Sequence, residues 1–589
     1  MVRGGPFKQR CSAMSRMNSK ILLSISTVLI VSMNYAASMS TKQMAQRKPH
    51  IILIVADDLG WNDVSWNNPY VVTPHLHDLA INGLILNNSY VQPTCTPTRA
   101  ALMTGIYPFK MGLQKGVIKP PEPMGVPLRL KMLPKFLKDV GYQTHAIGKW
   151  HLGFCSKDYT PLERGFDTFY GLYSGASDHY THKRRFPNQP KRGENPGEFL
   201  DLRNNTEPDR TKSGHYSTHL FGSAAEEIVR SRNPADPMFL YLAFQSVHSP
   251  LQVPQNYSDI YSYIRNDNRR LYLGMVTALD EAVGRLVATL KRTGHYQNSV
   301  IIFTTDNGGP LKHGGSNWPL RGGKATMWEG GIRAPSFIHS PLLPRSGRVT
   351  NQLHHVTDWF STIIDITGGK ATKVDGISQW DAFAGISASP RNEMVCNIGD
   401  VDDFKAAVRF NDYKMLVGHL DSKKWESPSP SEDKPTGTGA WIIPSSAIEN
   451  EGINVTEVNE AEIYSNNEHR NMTEVNSPLH ERANLQKNTT SVLWGDLKNH
   501  TELEWEPEVL KTLEKYLTEQ TTFKLFNIKD DPEERNDTSP SEFKKLKIMT
   551  DYLSLQLQQM IPAASKIYLN ESHPIYWNNV WSPGWCQSQ

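Results

Sequence analysis

Short apolar runs alternate with helical stretches between Pro49 and about Asp381. This alternation is typical of an α/β domain with a largely parallel central sheet. We therefore predict a large α/β domain over residues 47–390, built on a central mixed, largely parallel sheet. Its clearest strands are predicted at residues 51–55, 143–147, 239–244 and 300–305.

Polar side chains follow each of these four strands. They are Asp57 and Asp58 after the first, Lys149 and His151 after the second, His248 after the third, and Asp306 and Asn307 after the fourth. Ligands of open α/β sheets bind outside the carboxyl ends of the strands, so these residues are predicted to meet in one site. Separate surface loops are the alternative for any single run, but agreement among the four favours a common site.

The pattern of apolar runs changes after about Pro390, where the runs become shorter. Apolar runs at residues 406–410 and 413–417 predict a small antiparallel sheet, and helical spacing at 506–519 and 543–560 predicts two packing helices. Residues 391–589 are therefore predicted to form a smaller C-terminal α+β domain. Within it, residues 423–499 are polar and lack periodicity, which indicates a flexible, glycosylated insertion.

The beginning of the chain differs from the rest. Basic residues precede an apolar stretch at 21–33, and small residues at 36–38 follow it. This order predicts a signal peptide over residues 1–38 and a protein of the secretory pathway, lysosomal or secreted. The stretch is short for a bilayer span of roughly 20 residues, so a signal anchor is the minor alternative and no stable membrane span is expected.

Nine N-x-S/T sequons fit a protein that passes through the secretory pathway, and they predict glycosylation at surface positions. They lie at Asn87, Asn204, Asn256, Asn454, Asn471, Asn488, Asn499, Asn536 and Asn570.

Cysteine and charge content limit the possible disulfides and the possible partners. Four cysteines follow the predicted signal peptide, at positions 95, 155, 396 and 586. If Cys95 is catalytic, the other three allow one disulfide and one free thiol, with the pairing left open. Charged residues make up 21% of the chain and the net charge is +3, without a long basic block, so no nucleic-acid partner is expected.

The sharpest motif is Pro-Thr-Cys-Thr-Pro-Thr-Arg-Ala-Ala-Leu-Met-Thr-Gly at residues 93–105. Pro97 suits the first turn of a helix, whose N–H groups would face Cys95. Such a helix terminus binds anions, and the Arg99 guanidinium adds a planar set of donors suited to an oxyanion. A buried structural cysteine is the default alternative for a single Cys.

This motif resembles the sulfatase signature C-x-P-x-R with its following apolar pair and Thr-Gly, and residues 141–151 resemble that family's second signature. The likeness is closest to the arylsulfatase B group, which includes the related arylsulfatases I and J. It continues through residues 245–254, 318–335 and 525–535. The resemblance implies an alkaline-phosphatase-like large domain. The insertion at 423–499 and the positions of Cys155 and Cys396 depart from the group, so its disulfides are not transferred.

The resemblance implies that Cys95 is oxidised to formylglycine (3-oxoalanine) by a formylglycine-generating enzyme. One hydroxyl of the hydrated aldehyde would attack sulfur and displace the alcohol, and the other would lose its proton and expel sulfate. His151 is predicted to take that proton, and His248 is predicted to protonate the leaving alcohol.

Charged and oxygen-bearing side chains complete the predicted site. Clustered carboxylates repel one another unless a cation separates them, and oxygen donors are the ligands that Ca²⁺ or Mg²⁺ prefers. The resemblance favours one Ca²⁺, held by Asp57, Asp58, Cys95, Asp306 and Asn307. Taken singly, either of the first two aspartates could instead be a helix cap.

Cationic side chains are expected around the sulfate group. Arg99, Lys149 and Lys324 would offset charge on its oxygens in the transition state, and Lys149, His248 and Lys324 are the predicted substrate-binding residues. Residues 321–324 match the family, which distinguishes Lys324 from ordinary solvated lysines.

The resemblance implies a sulfuric ester hydrolase that acts on a sulfated saccharide, namely N-acetylgalactosamine 4-sulfate of dermatan or chondroitin sulfate. Rim loops, including residues 174–188, are predicted to set its specificity. A catalytically inactive, secreted glycan-binding protein on the same fold is the alternative, which failed conversion of Cys95 would favour. A phosphatase or phosphodiesterase is a weaker alternative, because its usual Ser or Thr nucleophile and zinc ligands do not match this site.

Overall fold

The computed structural model describes residues 47–187, 197–399, 404–418, 433–434 and 491–587. The predicted signal peptide and most of the predicted insertion lie outside these residues. Within the described ranges, no helix combines the length and the apolar character that crossing a membrane requires.

The described strands are β1 (His50–Ala56), β2 (Leu84–Leu86), β3 (Ser89–Tyr90), β4 (Gln143–Lys149), β5 (Thr168–Leu172), β6 (Lys183–Arg185), β7 (Glu198–Leu200), β8 (Arg203–Asn204), β9 (Glu207–Pro208), β10 (Met238–Ala243), β11 (Ser299–Thr305), β12 (Phe337–His339), β13 (Arg348–Thr350), β14 (His354–His355), β15 (Glu393–Ile398), β16 (Ala406–Phe410), β17 (Tyr413–Val417), β18 (Val492–Leu493) and β19 (Thr522–Asn527).

The described α-helices are α1 (Pro74–Ile81), α2 (Cys95–Thr104), α3 (Leu133–Asp139), α4 (Ser217–Ser231), α5 (Gln255–Asp259), α6 (Asp267–Arg292), α7 (Glu329–Ile332), α8 (Val356–Ile366), α9 (Trp380–Phe383), α10 (Trp494–Lys498), α11 (Pro507–Leu513) and α12 (Phe543–Leu557).

A ten-stranded sheet forms the centre of the large unit, in the order β13-β2-β12-β11-β1-β10-β4-β5-β8-β9. The adjacent strands β11, β1, β10, β4 and β5 are parallel. Antiparallel pairing begins at β12 on one side and at β8 on the other. The predicted mixed, largely parallel sheet is therefore confirmed, and each of the four predicted strands lies within two residues of its observed bounds.

Helices cover both faces of this sheet. Alternate residues of β1 point to opposite sides: Ile51 and Leu53 pack in one apolar cluster with α2 and α8, whereas Ile52 and Ile54 pack in another with α4 and α6. Every residue of β1, β10 and β11 is buried. Continuous apolar runs are the sequence pattern expected of strands that helices cover on both sides.

A separate five-stranded antiparallel sheet follows, in the order β15-β16-β17-β19-β18. The strands predicted at 406–410 and 413–417 coincide with β16 and β17, and the helix predicted at 543–560 corresponds to α12, which packs against this sheet. The helix predicted at 506–519 is shorter, because only Pro507–Leu513 is helical. Leu517 nevertheless stays in the apolar core, which explains why the sequence spacing looked helical.

Buried charge joins the two sheets. The ammonium group of Lys414, on β17, lies 3.0 Å from the carboxylate of Glu329 and 2.8 Å from that of Glu534, and all three side chains are inaccessible to solvent. Glu329 belongs to α7, whose Gly331 carbonyl accepts from the N–H of Gly308 (3.0 Å), in the loop that follows β11 of the large sheet. The predicted domain boundary near residue 390 stays a prediction.

The described C-terminal residues 561–587 return to the large unit. The Ile561 N–H donates to the carbonyl of Phe109 (2.9 Å), and the Trp581 N–H donates to that of Leu200 (3.0 Å). Cys586 forms a disulfide with Cys155, which leaves Cys396 as a buried free thiol in β15. The pairing that the sequence left open is thus assigned.

Six of the predicted glycosylation sites lie in the described residues. Asn87 is partly exposed, and the other five are exposed: Asn204, Asn256, Asn499, Asn536 and Asn570. Asn454, Asn471 and Asn488 lie outside the described residues. Occupancy of the sequons stays a prediction.

The disulfide predicts a loss of stability when it is removed. Replacing Cys586 by serine should lower the free energy of unfolding by about 2–4 kcal/mol, because the cross-link restricts the unfolded chain. Denaturant unfolding measures this change, and a non-reduced digest should contain the peptides of Cys155 and Cys586 joined together. Cys396→Ser is the control, since it removes a buried thiol and leaves that linked pair intact. A peptide pair joining Cys155 to Cys396 would contradict the assignment.

Candidate active site

The predicted site residues gather beyond the carboxyl ends of adjacent parallel strands. Asp57 and Asp58 follow β1, and Asp306 and Asn307 follow its neighbour β11. Lys149 ends β4, which is separated from β1 only by β10. Because carboxyl ends of parallel strands meet at one edge of a sheet, the topology brings these side chains together.

Cys95 is the first residue of α2 and is 1% exposed. Its Sγ lies 3.4 Å from Asn307 Oδ1 and 3.6 Å from Asp57 Oδ1. Pro97 occupies the first turn of the helix, as predicted. Burial, and secondly the charge of Asp306, raises the pKa of the Cys95 thiol to about 12, so the thiol keeps its proton at neutral pH.

The other end of α2 fixes the helix against α8. Gly105 caps it in the left-handed region, with φ of 70°, and accepts no larger side chain because a Cβ there would lie 2.7 Å from the ring of Phe360. The helix is thus held at both ends, by a crowded cap and by a buried Cys95.

Three carboxylates crowd around Cys95. Ligand atoms of Asp57, Asp58, Asp306 and Cys95 all lie within 4.8 Å of one another, and all four residues are buried. Burial and the neighbouring charge of Asp306 raise the pKa of Asp57 to about 7. A divalent cation would relieve this repulsion, and the carboxylate and amide oxygens present suit Ca²⁺ or Mg²⁺. The donor set therefore fits the metal ion that the sequence predicts.

Each carboxylate has a cationic partner. Lys149 Nζ lies 2.6 Å from Asp57 Oδ2, Lys324 Nζ lies 2.6 Å from Asp58 Oδ1, and the Arg99 guanidinium lies 2.8 Å from Asp306 Oδ2. The three pairs balance, so a bound divalent ion would leave net positive charge for an anion. The side chains of Lys324 and His248 are each 21% exposed, whereas those of Lys149 and Arg99 are fully buried. The former two therefore mark the mouth of the site.

The opposite charges of Asp58 and Lys324 stabilise each other's charged form at the mouth of the site. Although burial opposes the charged form, the ammonium groups of Lys324 and then Lys149 hold the pKa of Asp58 below its usual range. Asp58 in turn raises the pKa of Lys324 despite the burial of the ammonium group. Lys324 is accordingly charged whenever Asp58 is.

His151 lies against α2, with its backbone carbonyl accepting from the Thr96 hydroxyl (3.1 Å). Its Nε2 is 3.0 Å from the carbonyl of Ile118, and because a carbonyl only accepts, Nε2 must carry the proton. Burial and then the charge of Lys149 lower the pKa of His151 well below its usual value. The ring is therefore neutral, and its buried Nδ1, which has no hydrogen-bond partner among the described residues, is free to accept a proton.

His248 carries its proton on the other nitrogen. Its Nδ1 lies 2.6 Å from the carbonyl of Ser249, which makes Nδ1 the donor, and its Nε2 lies 3.7 Å from Asp58 Oδ2. Burial lowers the pKa of His248 to about 3, against the opposing effect of Asp58. The imidazole is therefore neutral in this structure, with Nε2 unprotonated.

Arg184 lies near His151, and the sequence did not single it out. It lies on β6, and its NH1 donates to the carbonyl of Ala176 (2.8 Å). Its charge contributes to the lowered pKa of His151. The loop before β6 packs on the ring of His151, since a Cβ at Gly175 would lie 2.4 Å from that ring. The predicted rim at residues 174–188 was the only signal in the sequence, because no strand-end pattern marks Arg184.

Comparisons with known proteins show which sequences this chain resembles. The family model described as Sulfatase matches residues 49–369, more than half of the chain. Arylsulfatase J of Mus musculus is 41% identical over 403 residues, which cover 65% of this chain and 66% of that protein. N-acetylgalactosamine-6-sulfatase of Rattus norvegicus is 32% identical over 353 residues, covering 56% and 65%. The chain thus spans slightly less than two thirds of these curated relatives.

Solved structures show the same fold. The crystal structure of Ps i-CgsB in complex with k-i-k-neocarrahexaose is 26% identical, with a TM-score of 0.64, and the match covers 90% of this chain and 97% of that one. The predicted fold class, a large α/β unit with a smaller antiparallel sheet, is confirmed.

The acidic cluster predicts a divalent-ion site that depends on Asp58. Asp58→Asn should weaken Ca²⁺ binding to metal-stripped protein by roughly tenfold or more, because it removes one negative ligand. Isothermal titration calorimetry with CaCl₂ measures the affinity. Asp139→Asn, which changes an exposed carboxylate paired with Lys131, should bind Ca²⁺ as the unaltered protein does. Equal affinity of the Asp58 variant and the unaltered protein would contradict the assignment.

Proposed function

Because the chain belongs to the sulfatase family, we propose that it hydrolyses a sulfate ester of a saccharide, using a formylglycine made from Cys95 and one Ca²⁺. The observation that carries this proposal is the position of Cys95. It lies at the N-terminus of α2, within reach of three carboxylates and beside three cationic side chains.

The environment of Cys95 supports conversion rather than thiolate chemistry. Its raised pKa makes the unmodified thiol a poor nucleophile at neutral pH. An aldehyde hydrate at this position would supply two hydroxyl groups, one to attack and one to help release the covalently held sulfate. A calcium ion held by Asp57, Asp58, Asp306, Asn307 and residue 95 would polarise the sulfate oxygens.

The chain's own residues supply the remaining chemistry. Arg99, Lys149 and Lys324 are placed to offset negative charge that develops on the sulfate oxygens. His151 is the proposed base, because its neutral ring leaves Nδ1 available for a proton. His248 is the proposed acid at the mouth of the site, where an anionic substrate would favour protonation of Nε2.

The proposed substrate is N-acetylgalactosamine 4-sulfate in dermatan or chondroitin sulfate. Relatives bearing the names arylsulfatase J and N-acetylgalactosamine-6-sulfatase support a sulfated sugar, and the two sulfate positions can be compared directly by assay. We also propose that the protein enters the secretory pathway, is matured there by a formylglycine-generating enzyme, and becomes lysosomal or secreted. Exposure of five described sequons supports glycosylation on that route.

Mass spectrometry of the Cys95 peptide tests the proposal most directly. Protein from a secretory host that converts such cysteines should show this peptide about 18 Da lighter than the thiol form, as expected for thiol-to-aldehyde chemistry. The same preparation should release sulfate from 4-sulfated saccharides, and Cys95→Ala should abolish the release. An unmodified thiol in folded protein from that host would reject the enzymatic proposal and favour a glycan-binding protein.

Substrates with different leaving groups test the role of His248. His248→Gln should lower kcat on a sulfated sugar by roughly 10²-fold or more, because a sugar alkoxide leaves poorly without a proton. The loss should be much smaller with 4-nitrophenyl sulfate, whose leaving group needs no proton. His151→Gln is the comparison, since loss of the proposed base should slow both substrates alike. Equal losses on both substrates in the His248 variant would contradict its assignment as the acid.

A further inference from the structure

Asp433 belongs to the insertion predicted at residues 423–499, yet it is buried against the large unit and only 4% exposed. Its two carboxylate oxygens accept from Arg269, with Nε at 2.9 Å from Oδ1 and NH2 at 2.6 Å from Oδ2. Asn68 Nδ2 donates to Oδ2 as well, at 3.1 Å. This paired geometry between a guanidinium and a carboxylate is both strong and directional.

Arg269 also holds a second carboxylate. Its NH1 lies 2.5 Å from Asp63 Oδ1 and 2.8 Å from the carbonyl of Gly314. The other oxygen of Asp63 accepts from the backbone N–H groups of Gly60 (3.1 Å) and Ser316 (2.9 Å). Asp63 thereby ties the loop that follows Asp58 to the loop that precedes Lys324.

The last link is the hydroxyl of Tyr272, a residue of α6 that is fully buried. It lies 2.8 Å from Asp63 Oδ2 and 2.8 Å from the backbone carbonyl of Asp58, so its single proton lies between these two acceptors. The hydroxyl also accepts from the Gly60 N–H at 3.2 Å. The network that begins at Asp433 therefore ends on the backbone of a proposed metal ligand.

Asp58 needs such support because of its backbone conformation. Its φ is 62°, in the left-handed region that residues with a Cβ adopt only when their surroundings fix them. The side chain of Asp58 can face the cluster only while this turn is held. A network that stabilises the turn therefore acts on the geometry of the ion site without contacting the ion.

We propose that Asp433 is a positioning residue of the divalent-ion site, acting through Arg269, Asp63 and Tyr272 on the turn that carries Asp57 and Asp58. The inference rests on the proposed function in that it concerns the same ion. It assigns a role in the active site to a residue of the insertion, which the sequence marked only as polar and aperiodic.

Calcium titration of the full-length protein tests this inference. Asp433→Asn keeps the size of the side chain and removes the charge that holds Arg269. By calorimetry with CaCl₂ on metal-stripped protein, its affinity should be about ten- to a hundredfold weaker, the range typical of residues that orient metal ligands. Excess Ca²⁺ should restore most of kcat, and Asp433→Glu should recover part of the affinity.

A matched control separates positioning from a general loss of stability. Asp358 forms a comparable buried pair with Arg391, with its Oδ2 2.7 Å from Nε, but its partners lie outside the acidic cluster. Asp358→Asn should lower the melting temperature and leave the Ca²⁺ affinity unchanged. Equal weakening of Ca²⁺ binding in both variants would overturn the proposal.

Unchanged Ca²⁺ affinity in Asp433→Asn would also overturn it. If that variant does not fold, Tyr272→Phe decides, because it keeps the ion pairs and removes only the hydroxyl beside Asp58. Weaker binding then supports the proposal and unchanged binding rejects it. The titration uses no sulfate ester, so protein that binds Ca²⁺ but lacks sulfatase activity still tests the role of Asp433. Failure of the unaltered protein to bind Ca²⁺ would reject both this inference and the proposed metal site.

Discussion

Buried charge is the constraint on which the rest of the structure depends. Three aspartates and three cationic side chains are brought out of water at one edge of the large sheet. An unpaired charge there would cost on the order of several kcal/mol, so every member must meet its partner. The three aspartates and Lys149 lie at the carboxyl ends of parallel strands. Arg99 lies on α2, and Lys324 lies in a loop beside the small unit. The fold therefore brings all six charged side chains to the same edge of the large sheet.

Much of this could be predicted from local sequence. Continuous apolar runs identify β1, β10 and β11 because helices bury both of their faces, and polar residues directly after such runs must lie at the edge of the sheet. The residue types around Cys95 then indicate its chemistry. The lengths of short elements were harder to predict. The helix at Pro507–Leu513 ends before the apolar pattern does, because Leu517 reaches the core without helical backbone.

Contacts between distant residues could not be predicted in this way. Asp433 and Arg269 are 164 positions apart, and no periodicity marks either as a partner of the other. Arg184 belongs to β6, a strand of three residues without an apolar run. The bond between Cys155 and Cys586 likewise depends on how the C-terminal segment returns to the large unit. Each of these follows from tertiary packing, to which a single sequence gives no direct access.

The depth of Cys95 and the position of Cys586 together impose an order on biosynthesis. In the finished fold Cys95 is 1% exposed, so an enzyme that alters its side chain must reach it before α2 docks into the sheet. Cys586 lies 431 residues after Cys155, so their bond can close only after residue 586 has left the ribosome. If Cys95 is converted as proposed, that step therefore precedes the docking of α2, whereas the disulfide forms only after residue 586 has been added. On the proposed route, a chain that folded before conversion of Cys95 would be cross-linked and stable, with its thiol buried where a modifying enzyme does not reach it.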